Sequence, residues 1–112
     1  MKQHSYTITF DQVSSADANR YAEELRQFLL NAATGLEVTP VRTDPRTQDL
    51  GTMLLAALGT SSITVFARAL GDWLKLRHSV GITIKTDKGE IIGSNLTGKD
   101  ALKLAELLCL EQ

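Results

Sequence analysis

The stretch Leu50-Gly-Thr-Met-Leu-Leu-Ala-Ala-Leu-Gly-Thr-Ser-Ser-Ile-Thr-Val-Phe-Ala67 contains no charged residue, and the chain then turns amphipathic through Arg68-Ala-Leu-Gly-Asp-Trp-Leu-Lys-Leu-Arg77. This segment must be buried in the protein's own core, in a partner or in a lipid bilayer, and that choice largely sets the function. Leu50 to Leu58 reads as helical and Gly59-Thr-Ser-Ser62 as an interruption. Ile63, Phe66, Ala69, Leu70, Trp73, Leu74 and Arg77 then line one side of a second helix, so the two form a kinked helical pair. A membrane span takes about 20 apolar residues. Here Gly59, Thr60, Ser61, Ser62 and Thr64 dilute the middle, and Arg68 and Asp72 follow with no basic cluster to fix orientation. Burial against protein is the expectation. Insertion of the Leu50-to-Trp73 region into lipid on triggering is the alternative.

Outward from this centre, Tyr6, Ile8 and Phe10 alternate with Thr7 and Thr9 at the period of a half-buried strand. Ser14 and Ser15 can cap a following helix, in which Tyr21, Ala22, Leu25, Phe28, Leu29 and Ala32 recur at three- and four-residue intervals. Gly35 is a stop signal, and Leu36 to Arg42 reads as a second strand, placed at a sheet edge by Pro40. A β-α-β opening with a right-handed crossover results. Thr43 to Asp49 is turn chemistry. Val80, Ile82 and Ile84 open a hairpin that turns at Asp87-Lys-Gly-Glu90 and returns through Ile91-Ile92, and Thr97 to Asp100 start a last helix through Leu102, Leu104, Ala105, Leu108 and Cys109. The fold class expected is α+β: a four-stranded sheet in the order β-α-β-α-α-β-β-α, packed against three to four helices.

At 112 residues the chain is a single domain, 1–112, with hydrophobic content of 43% and charged content of 22% that suit a packed globule. A net charge of -1, with Lys and Arg scattered, argues against nucleic acid as a partner. The single cysteine, Cys109, excludes an internal disulfide and reads as an apolar filler. The opening Met1-Lys-Gln-His-Ser-Tyr lacks the apolar run of a secretory signal, so a cytoplasmic location is expected and the Asn95-Leu-Thr97 sequon carries no meaning.

Gly93-Ser-Asn-Leu-Thr-Gly-Lys-Asp100 imitates a phosphate-binding loop, but Asp100 stands where Ser or Thr would hold magnesium. A capping turn in which Thr97 and Asp100 bond free backbone groups is the expectation. His4 and His78 have no partner at a metal-ligand spacing, and His78 beside Arg77 suits a helix C-terminus. The Gly59-to-Ser62 turn could hold an anion, although capping by Ser61 or Ser62 explains it more simply. Neither serine lies in a nucleophile-elbow sequence, and no nucleophile, base and orienter stand together. No catalytic residue, cofactor site or metal site is expected. Trp73 can be core filler or an interface anchor.

The chain resembles the effector-associated constant component family of bacterial conflict systems over nearly its whole length. The resemblance rests on the opening strand, the Glu24-Leu-Arg26 helix, the Val38-Thr-Pro-Val41 strand, the Gly/Ala/Leu-rich centre, Ala67-Arg-Ala-Leu-Gly-Asp-Trp-Leu-Lys-Leu-Arg77 and the Val80-to-Ile92 hairpin. Members often carry a Gly-Ala or Met-Gly-rich turn before the central helix, where this chain has Asp49-Leu-Gly-Thr-Met53. The resemblance implies a small non-enzymatic adaptor in defence, encoded beside variable effectors and regulatory NTPases or peptidases. Protein partners would be engaged through Phe66, Trp73 and Arg77 of the central helix, and homo-oligomerisation stays open.

Overall fold

The computed structural model describes residues 3–11, 13–32, 36–42, 52–77, 80–86 and 88–110. Strand β1 (Gln3–Asp11) leads into helix α1 (Ser15–Ala32), then strands β2 (Glu37–Arg42) and β3 (Thr52–Gly59). A single 3-10 turn over Thr60–Ser62 joins β3 to helix α2 (Ile63–Leu76), which is followed by strands β4 (Gly81–Thr86) and β5 (Ile91–Leu96), a second 3-10 turn over Gly98–Asp100 and helix α3 (Ala101–Leu110). The class is α+β, as the periodicities indicate, but the sheet has five strands in the order β2-β3-β1-β4-β5 instead of four.

The difference lies in the quoted stretch. Residues 52–59 form a strand and not the first limb of a kinked helical pair, so the element order is β-α-β-β-α-β-β-α. Leu54, Ala56 and Leu58 are buried while Met53, Leu55 and Ala57 lie on the opposite face, the two-residue period of a strand. Both sets are apolar although the second face is open, with Leu55 38% exposed there, and β3 lies inside the sheet with β2 on one side and β1 on the other. Every neighbouring pair is antiparallel. Strands β1 and β2 therefore run parallel with β3 inserted between them, which turns the expected β-α-β unit into a split one. Through β4 this is the chain order of ferredoxin-like sheets, with β5 and α3 added after it. The β4–β5 hairpin forms as its alternation indicates, with Gly89 at φ 84° in the turn.

Tyr6, Ile8 and Phe10 of β1 share one sheet face with Leu54, Ala56 and Leu58 of β3 and Ile82 and Ile84 of β4, and this face carries the core. Leu25 and Leu29 of α1, Phe66, Leu70 and Leu74 of α2, and Leu104 and Leu108 of α3 close over it. Ser14 starts α1, its hydroxyl accepting from the Asp17 N–H at 3.1 Å and its carbonyl from the Ala18 N–H at 2.8 Å. Ser62 holds the corresponding position of α2, yet its side chain makes no capping bond.

Both sheet edges carry features that hinder further pairing. On β2, Pro40 has no N–H to offer, and the Val38 carbonyl, on the same outer side, accepts from Arg26 Nε at 3.1 Å. On the other edge, β5 is irregular: its register against β4 shifts between Ile82 and Ile84 and again before Lys85, and Asn95 takes φ 53°.

Candidate functional site

Helix α2 lies between α1 and α3 and contacts both. Its inner stripe is Ile63, Phe66, Ala67, Leu70, Trp73 and Leu74, all buried. Phe66 stacks on Tyr6 with centroids 6.0 Å apart. Trp73 meets Phe10 and Tyr21 edge-on, each at 6.0 Å, geometries that aromatic quadrupoles favour. Of the three residues expected to touch a partner, Phe66 and Trp73 thus sit in the core with accessible fractions of 0% and 1%, and only Arg77 reaches solvent.

Arg77 is not a bare surface cation. Its Nε donates to Glu24 Oε1 at 2.6 Å, its Nη2 pairs with the same oxygen, and the Trp73 indole N–H donates to that oxygen at 3.2 Å. One carboxylate of α1 thereby satisfies the polar edge of a core tryptophan and ties down the last turn of α2. Sequence reading missed Glu24 as a partner, since nothing in its local spacing points 49 residues ahead.

What α2 shows to solvent is a different set. Val65, Arg68, Asp72 and Leu76, spaced by three and four, form its outer ridge, and Val65 and Leu76 are 43% and 67% exposed. Residues 52–67 of the uncharged segment are divided between an interior strand, a 3-10 turn and this helix. Among the described residues no helix is long and apolar enough to cross a membrane.

The Gly93-to-Asp100 stretch builds a cap. Gly93 lies inside β5, so no loop opens after it, and the Asp100 carboxylate accepts from the Thr97 N–H at 2.9 Å and the Thr97 hydroxyl at 3.4 Å. Gly98 is pressed against α2: a Cβ there would stand 3.0 Å from the Leu74 carbonyl oxygen and 3.0 Å from Lys75 Cα. His4 stacks on Tyr6, with ring centroids 6.4 Å apart. His78, Gly35 and Thr43 to Asp49 lie outside the described residues, as do the surroundings of the Cys109 side chain. Among the described residues no three His, Cys, Asp or Glu side chains come together as a metal-binding group. No protein-family model, curated protein or solved structure matches the chain.

Proposed function

We propose that this protein is a non-enzymatic adaptor that couples an effector to its sensor or activator by protein contact, with the outer ridge of α2 as the contact surface. The resemblance of its sequence to a constant component of bacterial conflict systems motivates the reading. The observation that carries it is the state of α2: clamped on both flanks and beneath, the helix holds Val65 and Leu76 outward on a fixed frame. Apolar side chains on a rigid element bind at low entropic cost, because little is left to order on association. Phe66 and Trp73 serve this surface from below, by holding the helix in place.

Coexpression with the products of adjacent genes, followed by copurification, tests the reading. The pair Val65→Asp and Leu76→Asp is expected to leave the melting temperature nearly unchanged and to release the partner. A folded ridge variant that still retains its partner would show that the ridge is not the interface, and turnover of a small molecule by the purified chain would remove the adaptor reading altogether.

A further inference from the structure

Arg77, at the end of α2 beside α1, is paired with Glu24, and Arg20 and Arg26 of α1 are paired with Asp17 and Glu23. On the α3 side, the last turn of α2 and the turn before α3 enclose an open hollow lined by Lys75, Thr97, Gly98 and Lys99. Among the described residues neither lysine pairs with an acid. The nearest carboxylate in sequence, Asp100, is turned inward onto the Thr97 N–H, and Asp72 and Glu106 point to solvent from the same two helices without reaching them. Arg68, two turns before Lys75, is exposed and unpaired in the same way. Leu102, four residues after Gly98 in the first turn of α3, is 83% exposed, the barest large apolar side chain described.

We infer that this hollow is a second docking surface, taking an acidic amphipathic segment of a partner protein: carboxylates against Lys75 and Lys99, and an apolar side chain against Leu102. The inference rests on the adaptor reading, since a coupling protein needs two separate contacts and the hollow lies on the other flank of α2 from the ridge's Leu76. A free anion would use the lysines and have no use for Leu102. A lipid surface would call for a wider basic field than two lysines on a chain of net charge -1.

The probe is a labelled synthetic peptide with Glu and Leu at helical spacing, titrated into the full chain by anisotropy and by amide chemical shifts, beside a counterpart with Lys in place of Glu. Shifts are expected to cluster at Lys75, Thr97 to Lys99 and Leu102. Reversing both charges, Lys75→Glu with Lys99→Glu, should weaken the acidic peptide at least about tenfold and confer binding of the Lys peptide. Leu102→Ala should weaken the acidic peptide while leaving the fold intact. Shifts elsewhere, affinity indifferent to charge reversal, displacement by inorganic phosphate at the peptide's own concentration, or the same charge-dependent binding to phosphatidylserine vesicles would each overturn the assignment. Val65→Asp/Leu76→Asp serves as the discriminating control. If the ridge pair alone loses the coexpressed partner and the peptide ignores the hollow, the adaptor reading stands without this site; if neither surface responds, both fall.

Discussion

Replacing Glu24 by alanine removes the one oxygen that accepts from both the Trp73 indole at 3.2 Å and Arg77 Nε at 2.6 Å. The two losses differ in kind. Trp73 is 1% exposed, so its donor has no ready access to water once the carboxylate is gone, and an unsatisfied buried donor costs about 1–3 kcal/mol. The ion pair is half in solvent, with Arg77 and Glu24 side chains 43% and 35% exposed, and pairs of that kind contribute about 0–1 kcal/mol. Together Glu24→Ala should destabilise the fold by about 1–4 kcal/mol, which for a chain of this size lowers the melting temperature by roughly 4 °C per kcal/mol. Glu24→Gln keeps an acceptor for the indole and should cost only about 1 kcal/mol. Trp73 is the only tryptophan, so its emission during urea unfolding reports both the stability and the environment in question. A loss below about 0.5 kcal/mol for alanine, or equal losses for alanine and glutamine, would refute the assignment of the indole as the dominant partner.

Three other outcomes test separate parts of the structure. Leu54→Ala, which empties a fully buried position on the helix-covered face of β3, should cost about 2–5 kcal/mol, whereas Leu55→Ala next to it, 38% exposed on the other face, should cost under about 1; similar losses in chemical denaturation would contradict the strand. Gly98→Ala should destabilise by about 1–3 kcal/mol because its Cβ meets α2 backbone at 3.0 Å, while Gly59→Ala, with nothing within 4 Å, should be neutral or slightly stabilising in thermal melts. Neither neutral nor anionic vesicles should float with the chain or leak in its presence, because releasing the uncharged segment would tear out an interior strand; leakage at micromolar protein would restore the lipid-inserting alternative.

Much of the fold is legible in the letters, wherever one face of an element is apolar and the other is not, or where a residue's own hydrogen-bonding chemistry fixes its place. Tyr6, Ile8 and Phe10, the α1 stripe and the inner face of α2 fall in the first class, and Pro40 at an edge and the Thr97–Asp100 cap in the second. Strand β3 does not, since an interior strand with apolar side chains on both faces loses its alternation, and Met, Leu and Ala are better helix formers than strand formers. Only the pairing with β1 and β2 overrides that preference. The surface was harder still. An apolar stripe uses the same residues whether it faces a sheet or a partner, so Phe66 and Trp73 could be placed only once α2 was seen to lie over Tyr6 and Phe10. The Glu24 contact to Arg77 joins residues 53 apart and leaves no local trace.

The slot that β3 occupies also constrains how the chain can reach its final state. If β1 and β2 paired directly after α1 formed, the sheet would lock with its middle strand shut out, and escape would require breaking a complete ladder. A productive route zips β2 and β3 together first, as neighbours in sequence, and delivers them to β1 as one piece. Synthesis on the ribosome sharpens the point: β1 waits for both of its partners, β3 and β4, until long after it emerges, and its apolar face has to stay out of wrong contacts during the interval.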